Sequence, residues 1–119
     1  MTAPTESYPL CWPDGRPRTP ASKRKEGRFR LTLGAARDDL LLELDRLKAK
    51  NIIISSDLKA RNDGLPFANQ GQPRDPGVAV YFNAEGTDYV FACDTWDRVE
   101  DNVRAIGLTI AAIRGIKRW

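Results

Sequence analysis

The centre of the chain alternates hydrophobic and polar positions with the period of a strand, and the region after it has the period of a helix. Two β-branched and aromatic runs, 78–82 and 88–93, are joined by a short loop that contains a glycine, which predicts a β-hairpin. Apolar residues then recur at helical spacing over 99–113. Asp97 and Glu100 have the spacing of a capping box, so the helix is expected to begin at Asp97. The predicted core contains Val80, Phe82, Phe91, Ile106 and Ile110.

The residues before the hairpin supply the other predicted elements. Leucines at helical spacing predict a helix over about 35–49, and Ile52, Ile53 and Ile54 predict a short central strand with both faces covered. Alternating basic and apolar residues over 28–33 predict an edge strand with a basic outer face. The expected fold is α+β, a single small domain with an antiparallel or mixed sheet of about four strands and two helices on one face.

The first 22 residues differ in composition from the rest of the chain. They contain five of the eight prolines, which excludes a helix and favours an extended Pro-rich arm (1–22) before an α+β domain (23–119). A disordered leader is the alternative. Tyr8 and Trp12 favour docking on a surface of this molecule or of a partner, since disordered segments are poor in large apolar residues.

Positive charge is concentrated near the N-terminus. The net charge is +3, but residues 1–37 hold eight basic and three acidic residues, a net +5, whereas residues 38–119 hold eleven basic and thirteen acidic residues, a net −2. The N-terminal basic residues include a basic cluster over residues 23–30. This basic cluster could be the solvated face of a strand, or it could contact the phosphates of nucleic acid. The candidate nucleic-acid-binding residues are Lys23, Arg24, Lys25, Arg28 and Arg30.

The absence of some residue types excludes several functions. The 119 residues include no histidine, which rules out a Ser-His or Cys-His catalytic pair and histidine metal ligation. Of the two cysteines, Cys93 has the pattern of a small buried hydrophobe rather than of a reactive thiol. We expect no cofactor and no structural metal. With no candidate membrane span or signal peptide, a cytoplasmic location is expected.

A long irregular stretch, 57–75, joins the central strand to the hairpin. Loops of this length are usually functional or mobile, and Arg61 and Arg74 within it are candidate partner-binding residues, together with Tyr8 and Trp12.

Strand-end carboxylates raise the possibility of a metal-dependent nuclease. The candidates are Asp63, Asp75 and Asp94, of which the last two flank the hairpin and should lie side by side. The alternative, which we favour, assigns structural roles. Asp75 would accept hydrogen bonds from turn amides, Asp94 would set the start of the last helix, and Asp63 would remain in solvent.

Several motifs resemble an uncharacterised protein family of bacterial mobile elements and prophages. They are Tyr8-Pro9-Leu10, Trp12-Pro13-x-Gly15-x-Pro17-Arg18-Thr19, Asp63-Gly64-Leu65-Pro66, Asp75-Pro76-Gly77-Val78-Ala79-Val80-Tyr81-Phe82, Ala92-Cys93-Asp94-x-Trp96, Asn102, Ala105-Ile106 and Arg114-Gly115-Ile116. In that family a J-domain often follows, but its His-Pro-Asp motif is absent here. The resemblance implies a phage or integrative-element setting and no particular activity.

Three functions therefore remain open at the level of sequence. The leading expectation is a non-enzymatic accessory protein that binds nucleic acid or a host protein through its basic N-terminal region and long loop. The alternatives are a metal-dependent nuclease and a protein–protein adaptor or inhibitor of a host defence system.

Overall fold

The computed structural model describes residues 4–27, 30–59 and 71–117. The elements are β1 (Thr5–Ser7), a 3-10 turn (Ala21–Lys23), α1 (Leu33–Arg46), β2 (Lys50–Ser56), β3 (Val78–Ala84), β4 (Thr87–Cys93) and α2 (Val99–Lys117). The four strands form one sheet in the order β1-β2-β3-β4, with β1 parallel to β2 and the other neighbours antiparallel. The predicted α+β fold, a four-stranded mixed sheet with two helices, is confirmed.

The edge strand predicted over 28–33 is wrong in its described part. Residues 30–32 are not in a strand, and Thr32 is instead the N-cap of α1, where its hydroxyl accepts a hydrogen bond from the Ala35 amide at 3.1 Å. A threonine at this position satisfies an amide that the first helical turn would leave unpaired. The edge of the sheet beside β2 is formed by β1 from the N-terminal arm.

β2 is central in the sheet, as predicted, but only one of its faces is fully covered. Ile52 and Ile54 are buried, whereas Ile53 is 39% exposed. Successive side chains of a strand point to opposite faces, and the helices cover only the face that carries Ile52 and Ile54. The expectation that both faces are covered is therefore wrong at Ile53.

The hairpin has a two-residue turn. Glu85 and Gly86 have φ values of 53° and 78°, the positive angles of a type I′ turn, which matches the twist of the flanking strands. The strands therefore extend to Ala84 and begin again at Thr87.

The predicted core is confirmed, with one difference at its margin. Val80, Phe82, Ile106 and Ile110 are buried. Phe91 is half-buried and packs against the core from outside, because it lies on β4, the strand at the open edge of the sheet.

α2 begins at Val99, so the capping box at Asp97 is wrong. The carboxamide of Gln72, from the segment before the hairpin, caps the helix instead: its oxygen accepts from the Val99 amide and its nitrogen donates to Glu100, both at 2.9 Å. A cap supplied from elsewhere in the chain satisfies the same unpaired amides as a local one. None of the described helices is long and apolar enough to cross a membrane.

The N-terminal arm crosses the face of the sheet opposite the helices. The amide of Cys11 donates to the Ser55 hydroxyl at 2.7 Å, and the Tyr81 hydroxyl donates to the Cys11 carbonyl at 2.6 Å. The amide of Leu10 donates to Asp57 at 2.8 Å. Burial, the contact with Cys11 and the charge of Asp14 raise the pKa of Tyr81 to about 12. The arm is thus ordered against the domain, and its β1 strand belongs to the sheet.

Candidate nucleic-acid interface at the open end of the hairpin

Arg18 of the arm joins the two open ends of the hairpin. Its Nη2 donates to both carboxylate oxygens of Asp75, at 2.7 and 2.8 Å, and its Nε donates to Asp94 at 2.8 Å. The guanidinium also lies 4.4 Å from the centroid of the Trp12 ring, within the range of a cation–π contact. The arm is therefore fixed by one cation that satisfies two carboxylates.

The pKa of Asp94 is lowered in this arrangement. Burial alone would raise it, but the hydrogen bonds from Arg18 and from the backbone of Thr19 favour the charged form and outweigh that effect. Asp94 therefore does not set the start of the last helix, and that expectation is wrong, because the arm supplies donors to this carboxylate. Asp75 does accept from a turn amide, that of Gly77 at 3.0 Å.

The geometry of Asp75 and Asp94 bears directly on the nuclease hypothesis. The two carboxylates converge, as the hairpin requires, but Arg18 occupies the space between them. Within the described ranges, no group of three or more cysteine, aspartate or glutamate side chains is arranged to hold a metal ion. Asp63 lies outside the described residues.

Asn102 on α2 fixes the backbone around this end of the hairpin. Its nitrogen donates to the carbonyls of Pro76 and Trp96, at 2.8 and 3.0 Å, and its oxygen accepts from the Trp96 amide at 3.0 Å and from the Cys93 thiol at 3.3 Å. The side chain is fully buried. It therefore locks the start of β3, the end of β4 and α2 together.

Two backbone hydrogen bonds place the basic cluster beside Trp96. The Lys25 amide donates to the Thr95 carbonyl at 2.8 Å, and the Asp97 amide donates to the Lys25 carbonyl at 2.9 Å. This pairing directs the chain across the start of α2. An open depression of about 880 Å³ results, and it is lined by Lys25, Glu26, Gly27, Arg30 and Trp96.

Gly27 is required at the floor of this depression. A Cβ atom at that position would lie 1.6 Å from a carboxylate oxygen of Asp101, so no other residue fits without displacing that side chain. Asp101 is buried, and its Oδ1 has no hydrogen-bond partner. Its burial and the charge of Glu100 raise its pKa.

A scan of known protein families, a search of curated proteins and a search of solved structures find no match to this chain.

The described cations differ in whether they have a carboxylate partner. Every described arginine of the two helices, and Arg98 directly before α2, forms an ion pair with a carboxylate: Arg37 with Glu6, Arg46 and Arg114 with Glu43, Arg98 with Glu100, and Arg104 with Asp39. Among the described contacts, several cations near the open end of the hairpin have no carboxylate partner. They are Arg16, Lys23, Lys25, Arg30 and Arg74.

The candidate nucleic-acid-binding residues do not all have the same surroundings. Lys23, Lys25 and Arg30 are exposed. Arg24 is half-buried beside Asp75, with its Nη2 at 3.6 Å from the carboxylate, so its charge is already partly compensated. Arg28 lies outside the described residues.

The candidate partner-binding residues also differ in their exposure and contacts. Trp12 is half-buried under Arg18 and donates from its ring nitrogen to the Arg16 carbonyl at 3.0 Å, so it anchors the arm within this molecule. Tyr8 is 50% exposed. Arg74 is exposed, and Arg61 lies outside the described residues.

Sequence reasoning missed the three side chains that organise this end of the molecule: Arg18, Gln72 and Asn102. Each forms hydrogen bonds with residues at least 26 positions away, apart from the Asn102 bonds to Trp96 and Cys93. The available signal was that Arg18 and Asn102 belong to the motifs that carry the family resemblance.

Proposed function

We propose that this chain is a non-enzymatic nucleic-acid-binding protein that contacts phosphates through Lys23, Lys25 and Arg30. The observation that carries the proposal is the separation of charge: these three cations are exposed and have no carboxylate partner, whereas the helix arginines are paired.

Phosphates bind most favourably to cations that have no carboxylate partner in the protein. A cation that neutralises a phosphate gains free energy by releasing condensed counterions from the nucleic acid. A paired arginine would first have to lose its carboxylate, which offsets that gain. Lys25 and Arg30 also line the same depression, so one backbone segment of a nucleic acid can contact both.

The biological setting is part of the proposal. The motifs that resemble a mobile-element family include Arg18, Asp75, Asp94, Trp96 and Asn102, which surround the open end of the hairpin next to the basic cluster. This supports an accessory role in a phage or integrative element. No catalytic role is assigned to Asp75 or Asp94, because Arg18 occupies their carboxylates.

Fluorescence anisotropy with labelled single-stranded and duplex DNA of unrelated sequences tests the proposal. We expect affinity to fall steeply with salt and to vary little with sequence. The triple variant Lys23→Gln, Lys25→Gln, Arg30→Gln should bind about tenfold or more weakly at ~50 mM salt and reduce the log–log salt slope for duplex DNA by roughly 2–3, the loss expected for three phosphate contacts.

Lys48 and Lys50 provide a matched control. They are exposed cations at the other end of the sheet, because Lys50 pairs with Asn83 near the hairpin turn, whereas Ser56 pairs with Val78 at the open end. The double variant Lys48→Gln, Lys50→Gln should keep most of the affinity and slope. Equal losses in the two variants, or no binding by the wild-type chain at low salt, would contradict the proposal.

A further inference from the structure

β4 is an open edge of the sheet, and its outward-facing backbone groups can be identified. The carbonyl of Ala92 accepts a hydrogen bond from Nη2 of Arg16 at 2.9 Å, so it points away from β3. In an antiparallel pair, alternate residues direct both backbone groups to the same side. The backbone groups of Asp88 and Val90 therefore also face outward, and within the described ranges no residue pairs with them.

Arg16 covers this edge at Ala92, but from Thr87 to Val90 the edge lacks the features that usually prevent strand pairing. β1, at the other edge, has three residues, whereas β4 has seven. β4 contains no proline, its register with β3 has no bulge, and Asp88 is its only charged residue. Long, regular edges without such protection are templates for a further strand.

An apolar trough lies beside this edge on the helix side of the sheet. Phe91 lines two cavities there. One, of about 380 Å³, is also lined by Thr109 of α2 and by Trp12 and Arg16 of the arm, and the other, of about 190 Å³, is also lined by Ile113. Tyr89 lines the second cavity and is 36% exposed. The side chains of an added strand would fill this trough.

We infer that the occupant is β4 of a second copy of this chain, paired antiparallel about a two-fold axis at Val90. Val90 is the midpoint of the strand Thr87–Cys93, so this register sets all seven residues of each strand opposite the other strand. The Ala92 carbonyl has two lone pairs, so it can accept from Arg16 and also from the Asp88 amide of the partner subunit. It sets Val90 opposite Val90 of the partner subunit, with outward-facing backbone groups on both strands. Such an interface is isologous and closes as a dimer.

The side chains that this register sets opposite one another also favour it. Tyr89 is set opposite Phe91 of the partner subunit, and aromatic cross-strand pairs stabilise a sheet. Asp88 is set opposite Ala92 of the partner subunit, the residue whose carbonyl Arg16 contacts in each copy. Each Asp88 is thereby brought beside an arginine of the other copy, and neither residue has an ion-pair partner within its own described chain. The symmetry makes this pairing occur twice, which favours a second copy over an unrelated strand.

Sedimentation equilibrium of the full chain from about 1 to about 200 μM tests the dimer, since dimerisation follows mass action. We expect a monomer–dimer equilibrium. Asp88→Arg places like charges at both ends of the interface and should raise the dimer dissociation constant by about tenfold or more. The double variant Asp88→Arg, Arg16→Glu should restore most of the association, because it reverses the pair.

Val90→Pro gives an independent test of the edge. Proline removes an outward-facing N–H that β3 does not use, so it should abolish the dimer, with the helical circular dichroism spectrum of the monomer retained. A chain that stays monomeric throughout the concentration range would overturn the inference. So would a dimer that Asp88→Arg leaves unchanged, or a failure of the double variant to associate better than Asp88→Arg.

Discussion

The guanidinium of Arg18 connects three segments that are far apart in the sequence. Asp75 and Asp94 lie 57 and 76 positions away from it, and the ring of Trp12 lies against it. Asp94 is 4% exposed, so this carboxylate depends on Arg18 and on the Thr19 amide for compensation of its charge. A buried carboxylate that loses its cation retains the cost of its desolvation.

Arg18→Gln is therefore expected to lower the free energy of unfolding by roughly 1–3 kcal/mol at neutral pH. Urea denaturation measures this. Arg46→Gln is the control, because Arg46 forms an exposed pair with Glu43 on the same helix, and such pairs contribute about 0.5 kcal/mol or less.

The pH dependence of this effect has a definite sign. Because the pKa of Asp94 is lowered from 3.8 in the folded chain, its contribution is complete above that value and is lost as pH falls through the lower folded value. The difference between wild type and Arg18→Gln should therefore shrink below about pH 4. A difference that is the same at pH 3 and pH 7 would show that Asp94 does not depend on Arg18.

At the scale of elements, the periods of the sequence located the hairpin and both helices. Strand alternation and the apolar stripe of α2 depend on neighbouring residues, so they can be found from sequence alone. The element boundaries depended on distant side chains: Gln72 caps α2, and β1 takes the edge that the basic segment was expected to form. No local pattern contains that information.

The apolar stripe of α2 predicts different stability losses for buried and exposed side chains of the same helix. Ile106 is 2% exposed and lies in the core cluster, whereas Leu108 is 42% exposed. Ile106→Ala should cost roughly 2–5 kcal/mol in unfolding free energy, since it removes buried methyl groups and leaves a cavity. Leu108→Ala should cost about 0.5 kcal/mol or less. Urea denaturation of both variants checks this, and a cost below ~1 kcal/mol for Ile106→Ala would contradict the assignment of this face to the core.

At the scale of the whole molecule, the arm makes the second face of the sheet part of the structure. Sequence composition predicted that Tyr8 and Trp12 would dock on a surface without indicating which surface. The arm lies on its own domain because polar groups on that face, Ser55 and the hydroxyl of Tyr81, match its backbone amide and carbonyl at Cys11. This complementarity exists only once the sheet has formed, so it could not be seen in the sequence.

If the arm docks as one unit, its amides should exchange with solvent through a common opening. The amides of Leu10, Cys11 and Thr19 donate to Asp57, Ser55 and Asp94, three acceptors spread along the path of the arm. We expect their hydrogen exchange, followed by NMR at neutral pH, to be slowed to a similar extent and by less than that of the amides in the core of α2, because the arm can open without global unfolding.

Arg18→Gln removes the cation at one end of this path and should accelerate the exchange of all three amides, whereas Arg46→Gln should accelerate none. Acceleration of Thr19 alone would mean that the two ends of the arm open independently, and exchange of all three amides at the rate of an unfolded peptide would mean that the arm is not docked in solution.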